Sequence, residues 1–221
     1  MSHKKHLIVL AALLLARAAF AETVNYNVFV KLDNTAESRV NDISQALARQ
    51  GVNSLFAQGY QVHLTLYLTE YDSKRLPEIQ KIISQFARRQ SKFAISFNGM
   101  HSTAGKWLML DNQPSPELQQ LADEITVQLV KLRDKNAQLP DWVKAYPDKV
   151  KTFERYGSPN VFTQFNPHVT LLTPNEFSDG VAKFEASYTF QPFTAQAVGI
   201  GIAQVDALGQ AKNVLYFKPF K

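Results

Sequence analysis

Beyond residue 22 the chain has three histidines, and each opens a His-x-Thr unit: His63-Leu64-Thr65, His101-Ser102-Thr103 and His168-Val169-Thr170. A neutral imidazole, with an ordinary pKa of about 6.5, can take a proton from water or a ribose hydroxyl. Its protonated form can give one to a leaving oxygen. A threonine hydroxyl alongside can donate a hydrogen bond to an anionic oxygen and steady charge as it develops. Two such units on opposite sides of a phosphorus atom suffice to open a phosphodiester and, by microscopic reversibility, to close one. Taken singly, a histidine and a threonine two apart are also an ordinary polar strand face, satisfied by neighbours or water.

Context separates the three units. His63 and His168 are each followed by apolar residues at alternate places, Leu64 and Leu66 or Val169 and Leu171, whereas Ser102 and Ala104 follow His101. Side chains alternate along a strand, so Val62, Leu64, Leu66 and Leu68 are expected on one face and His63, Thr65, Tyr67 and Thr69 on the other. His63 and Thr65 would then stand roughly 7 Å apart on a polar face. His168 and Thr170 repeat the arrangement against Val169 and Leu171, and Pro167 is tolerated just ahead of a strand. His101 falls between Gly99 and Gly105 in a run of small residues that reads as a turn, which assigns it to the surface or a cleft rim.

The surrounding pattern supplies elements to carry these residues. Tyr26 to Leu32 alternates as a strand, and Asn34 and Thr35 suit the cap of a helix from Ala36 to Gln50 that Gly51 stops. Val62 to Leu68 is a second strand, and Ser73 to Arg89 is a helix with Leu76, Ile79, Ile82, Ile83 and Phe86 at helical spacing. Short strands follow at Phe93 to Asn98 and Trp107 to Leu110. Pro116 then opens a helix to about Lys131 whose apolar stripe, Leu118, Leu121, Ile125 and Leu129, is core. Val169 to Leu172, Ala195 to Val205 and Asn213 to Phe217 complete the strands, the last two around a hairpin turn at Asp206 to Gly209. Helices interspersed with strands joined by tight turns argue for an α+β fold with antiparallel pairing, not a doubly wound parallel sheet. Residues 135–160 change character, mixing prolines with aromatics and lysines, and read as an insertion holding a short helix. Its Trp142, Tyr146, Lys149, Lys151, Arg155 and Tyr156 could stack a base and touch phosphate, or form a solvated surface helix.

Composition narrows the setting. Lys4, Lys5, the apolar run Leu7 to Leu15 and Ala19-Phe20-Ala21 form the charged start, apolar middle and small-residue end of a secretory signal peptide over residues 1–21. The run is shorter than the roughly 20 residues that span a bilayer. The expectation is a single domain over 22–221, periplasmic or secreted, without stable membrane association after cleavage. The formal charge of +5 falls to +2 once Lys4, Lys5 and Arg17 leave, too little to argue for a polyanion-binding face. Cysteine is absent, which excludes disulfides, thiol nucleophiles and thiolate zinc sites. A zinc site from His63 and His168 with Asp72 or His101 is disfavoured because the histidines lack close ligand spacing.

The two His-apolar-Thr-apolar tetrads resemble the duplicated signature of the 2H phosphoesterase superfamily, which includes 2′-5′ RNA ligase-like proteins and cyclic phosphodiesterases. The likeness extends over about residues 25–220, through Phe97-Asn98-Gly99, Lys106-Trp107-Leu108, the helix after Pro116 and Asn166-Pro167. It implies a two-lobed α+β fold, antiparallel sheets with flanking helices, in which each lobe brings one His-Thr strand to a central cleft. It further implies catalytic His63 and His168, phosphate-binding Thr65 and Thr170, no metal and no organic cofactor. The expected reaction opens a 2′,3′-cyclic phosphate or a related 2′,5′ linkage, in a monomer whose partner is a small nucleotide or RNA end. Family members often draw the base from the second motif, while the residues themselves leave the acid and base roles open. Tyr67, Tyr156 and Phe165 are candidate substrate contacts. The alternatives are 2′-5′ RNA ligase activity and a non-catalytic nucleotide- or RNA-binding module on the same fold. The 135–160 insertion is the departure from compact members and leaves the substrate open.

Overall fold

Residues 22–221 are described by a computed structural model of the chain; the signal-peptide expectation lies outside them. Strand β1, Thr23–Leu32, buries Val24, Tyr26, Val28, Val30 and Leu32 by period-two alternation. Helix α1, Asn34–Ala48, follows at once. Asp33 supplies its cap, with the Ala36 amide donating to the carboxylate, so the cap lies one residue ahead of the Asn34-Thr35 expectation. Gly51, at φ +74, turns the chain out of the helix. Strand β2, His63–Asp72, leads through a 3-10 turn into α2, Leu76–Arg89, where Ile79, Ile83 and Phe86 are buried.

Strands β3, Phe93–Ser102, and β4, Leu108–Asn112, form a hairpin; α3, Pro116–Leu129, is capped by Ser115 and buries Leu118, Leu121, Ile125 and Leu129. The insertion holds a 3-10 turn at Asp141–Ala145 and α4, Pro147–Tyr156, which ends on Gly157 at φ +71. Strand β5, His168–Leu172, helix α5, Asp179–Ser187, and the hairpin of β6, Phe193–Val205, and β7, Ala211–Pro219, complete the domain.

Every strand pairing is antiparallel, and the order is β2-β1-β6-β3-β4-β5, with β7 also on β6. The α+β architecture of antiparallel strands and flanking helices is therefore present. All seven strands belong to one sheet, in place of the separate sheets expected for two lobes, and β6 is the strand that joins its parts. Phe193 to Ala197 pair with β3, Gly199 to Val205 pair with β7, and the opposite edge pairs with β1. Close packing there requires glycine: a Cβ on Gly201 would sit 2.3 Å from the Phe29 ring, and one on Gly199 would sit 2.6 Å from the Lys218 carbonyl. The histidine strands β2 and β5 occupy the two ends of this path, and the sheet curls enough to bring them against each other.

A bulge in β2 redirects half of that strand. Phe29 of β1 pairs with Thr65 but Val28 pairs with Tyr67, so Leu66 is an extra residue. Before the bulge His63 and Thr65 share a face with Lys31 and Phe29. After it Tyr67, Thr69 and Tyr71 join the core face of Val28, Tyr26 and Val24. Tyr67 and Thr69 thus do not continue the His63 face, contrary to the simple alternation.

Candidate active site

Each histidine opens its strand and is tied in the same way. His63 Nδ1–H donates to the Gln61 carbonyl at 2.8 Å, and His168 Nδ1–H donates to the Asn166 carbonyl at 2.9 Å. A carbonyl only accepts, so these bonds fix the Nδ1–H tautomer and leave Nε2 with the lone pair in the neutral ring. Gln61 and Val62 on one side, Val169 and Thr170 on the other, line a single void of about 10 Å3, room for about one water. Neither imidazole lines it, since Val62 and Val169 alternate away from His63 and His168; the void marks where β2 and β5 pack together.

His63 is buried, with its ring edge-on to Phe29 at 5.4 Å between centroids. Burial pushes its pKa down; the Gln61 carbonyl opposes this, and the charge of nearby His168 lowers it further. Asn27 of β1, not anticipated from the sequence, lies beneath it. Its Nδ2 donates to His63 Nε2 at 3.2 Å and to Thr65 Oγ1 at 2.8 Å. Because Thr65 accepts that bond, its own O–H is free for a ligand. Asn27 is itself fully buried and its Oδ1 has no partner. Rotating the amide by half a turn would present that oxygen to a protonated Nε2, so one side chain can serve both charge states of His63.

His168 keeps some solvent contact while protein atoms crowd its ring. Burial again lowers its pKa, the Asn166 carbonyl and Asp111 raise it, and the charges of His101 and Lys149 lower it. Register explains Asp111 and His101: Asp111 pairs with His168 across β4–β5 and with Gly99 across β3–β4, while Met109 pairs with Thr170 and with His101. His101, Asp111, His168 and Thr170 therefore share one face. His101 Nδ1 lies 2.8 Å from Asp111 Oδ2, a pair half-open to solvent. The turn expected at His101 begins later, because β3 runs through Ser102 and the reversal falls at Ala104 to Lys106. His101 is thus a strand residue beside the second motif.

The 2′-5′ RNA ligase superfamily model matches residues 33–173, a span that contains both tetrads. The chain belongs to this superfamily. No sequence among the curated proteins matches it. Among solved structures, a phosphoesterase superposes with a TM-score of 0.57 at 15% identity, covering 90% of this chain and 99% of that one. Escherichia coli LigT in apo form gives 0.56 at 15%, covering 90% and 99%. TT0787 of Thermus thermophilus gives 0.55 at 14%, covering 89% and 97%. LigT has also been crystallised with phosphate and with 3′-AMP. At such identities the likeness is one of fold.

Within this 2′-5′ RNA ligase-like scaffold the three candidate substrate contacts fare differently. Tyr67 is fully buried and its hydroxyl donates to the Tyr156 carbonyl, while Thr69 donates to the Gly157 carbonyl at 2.7 Å. Tyr67 is therefore an anchor for the end of α4 and not a cleft residue, a consequence of the bulge at Leu66. Tyr156 is half-buried with its ring 4.6 Å from Phe162. Phe165 is half-buried against the core, three residues before His168. Lys149 enters from the insertion: burial pushes its pKa down, its Nζ donates to Asn160 Oδ1, and it stands 5.7 Å from the Trp142 ring. Among the described residues no three His, Asp or Glu side chains converge as a metal site.

Proposed function

We propose that this member of the superfamily is a metal-independent phosphodiesterase that opens a 2′,3′-cyclic phosphate, or a related 2′,5′ linkage, at an RNA end or on a nucleotide. The observation that carries the proposal is the matched pair of histidines: both Nδ1–H groups are spent on the carbonyl two residues upstream, both pKa values are held down by burial, and in each neutral ring Nε2 carries the lone pair, that of His63 accepting from the Asn27 amide, which must give way for a proton to be taken there. One Nε2 takes a proton from water as its oxygen attacks phosphorus. The other, protonated, gives its proton to the ribose oxygen as the phosphorus–oxygen bond breaks. The net change is addition of one water, with the two histidines exchanging charge states. Thr65 and Thr170 donate to the non-bridging oxygens. LigT's capture of phosphate and of 3′-AMP supports a nucleotide-sized substrate here. Ligation of a cyclic phosphate to a hydroxyl is the same path reversed. We extend the proposal to location: residues 1–21 act as a signal peptide, and a monomer works in the periplasm or outside the cell on RNA debris.

The test is a panel of nucleoside 2′,3′-cyclic phosphates, 2′,5′ and 3′,5′ dinucleotides and cyclic dinucleotides, with products identified by phosphorus NMR. Conversion of the cyclic phosphates to one monophosphate isomer is the expected result. Failure to turn over any of them would remove the proposal.

A further inference from the structure

His63 and His168 each face one charged neighbour straight across the ladder: Lys31 of β1 for His63 and Asp111 of β4 for His168. Side chains paired in this way start about 4.5–5.5 Å apart at Cβ. The two neighbours differ in what they offer. Lys31 turns its ammonium to Glu37 at 3.4 Å, so its charge is answered between β1 and α1. Asp111 has Gly99 on its other side, where an added Cβ would still lie 4.0 Å from Oδ2, and that gap gives the carboxylate room to lean toward β3. There both of its oxygens meet His101 Nδ1, at 2.9 and 2.8 Å. A neutral His101 donates its Nδ1–H, and the carboxylate keeps its negative charge beside His168.

The surroundings of His63 are of the opposite kind. It is buried against Phe29, and its Nε2 accepts from the Asn27 amide, a bond open only to the neutral ring. Asn27 Oδ1, buried and without a partner, is placed to receive an N–H once that ring has taken a proton. No carboxylate bonds to His63 among the described residues. His168 keeps solvent contact, and its Nε2 bonds to no protein group among the described residues. The charges that reach it are those of Asp111, which favours the imidazolium, and of His101, Lys149 and His63, which oppose it when protonated. Burial disfavours charge on both rings, and only His168 has a carboxylate to offset it.

We propose that Asp111 and His101 are a positioning pair that places the proton shared by the two motif histidines on His168, making it the donor to the leaving ribose oxygen and leaving His63 to take the proton of the attacking water. It rests on reading those histidines as the acid–base pair of a phosphodiesterase. It reverses the assignment that the family resemblance suggests, in which the second motif supplies the base. Water's oxygen bonds to phosphorus as its proton passes to His63 Nε2. The bond from phosphorus to the ribose oxygen breaks as His168 Nε2–H protonates that oxygen, so one water is added and one proton has moved from His168 to His63. Held by His101, the carboxylate favours the imidazolium without capping its Nε2, which stays free to give the proton up.

Two measurements test it. Ring-nitrogen NMR of isotope-labelled protein follows the protonation of His63, His101 and His168 separately, and the pH dependence of kcat/KM for cytidine 2′,3′-cyclic phosphate follows the working pair. His168 is expected to keep its proton to higher pH than His63. Asp111→Asn, which retains an acceptor for His101, should lower the His168 midpoint by about 0.5–1 pH unit, less than a carboxylate in contact would give because the pair is half-open to solvent. The alkaline limb of the profile should move down with it while the acid limb stays. His101→Ala, which frees the carboxylate to turn to His168, should move the alkaline limb upward. The residual rate should rise with pH in His168→Ala, where only the base is left, and fall with pH in His63→Ala, where only the acid is left. A His63 that protonates at higher pH than His168, a shift of the acid limb in Asp111→Asn, or an alkaline limb that Asp111→Asn leaves in place overturns the proposal. A His168 midpoint that falls in Asp111→Asn, without turnover of any cyclic phosphate, supports the positioning pair and removes the phosphodiesterase reading. Turnover with midpoints unchanged in Asp111→Asn does the opposite.

Discussion

Replacing Tyr67 by phenylalanine separates an anchoring residue from a substrate contact. The hydroxyl is fully buried and donates to the Tyr156 carbonyl, at the point where α4 ends on Gly157. Removing it costs the net hydrogen bond, about 0.5–1.5 kcal/mol, and leaves a carbonyl with a lost partner, about 1–3 kcal/mol if no water replaces it. The ring itself stays packed edge-on to Tyr71 at 6.4 Å, so no large cavity opens. A loss of about 1–3 kcal/mol follows, and at about 2–4 °C per kcal/mol for a domain of this size the melting temperature should fall by roughly 2–12 °C. Urea denaturation with unchanged m-value measures the first quantity and calorimetry the second. Activity on a cyclic mononucleotide should stay within about twofold below the new transition. A variant with wild-type stability and a tenfold or greater loss of kcat/KM would refute the bulge argument and return Tyr67 to the cleft.

Further outcomes follow from the same geometry. Because burial lowers the pKa of both histidines from their ordinary value near 6.5, the pH profile of kcat/KM should have its optimum on the acid side of about pH 6.5, measured as a bell on the free enzyme. The unfolded chain binds more protons just below that pH, so stability should also drop as pH falls through it, and His63→Gln should weaken that drop; stability that rises on acidification would contradict it. Asn27→Asp puts a buried carboxylate 3.2 Å from His63 Nε2, stabilises the imidazolium and should move the histidine-dependent limb upward in pH, whereas Asn27→Ala should lower kcat/KM about tenfold with the fold retained by circular dichroism. Prolonged dialysis against EDTA should leave kcat/KM unchanged, and activity lost on dialysis and restored only by added zinc would contradict the metal-independent mechanism; Asp72, at the far end of β2 from His63, is too distant to share a metal with it.

The two tetrads were legible because strand alternation acts over two residues and needs no partner. What failed to read was set by pairing across long sequence separations. The bulge that turns Tyr67 inward exists only because β1 aligns Phe29 with Thr65 and Val28 with Tyr67. His101 reads as a turn residue beside two glycines and a serine, but pairing with Met109 holds β3 extended past it. Asn27 lies 36 residues from His63, at a place in β1 that the alternation marks only as polar. Asp111 carries a similar weak sign, a carboxylate alternating with Leu108 and Leu110, and becomes meaningful once β4 sets it beside His168. Lys149 belongs to an insertion whose lysines are alike in the sequence, and only burial near Asn160 distinguishes it from Lys144 and Lys151.

The central claim is that His63 and His168 act as one acid–base pair on a cyclic phosphate. The most direct measurement is kcat/KM for a nucleoside 2′,3′-cyclic phosphate in the wild type, in His63→Ala, in His168→Ala and in the double variant, each shown folded. The account predicts a loss of about 100- to 10,000-fold in either single variant and little further loss in the double, because groups that act as a unit are not additive. A single variant that keeps turnover within tenfold of the wild type would contradict it.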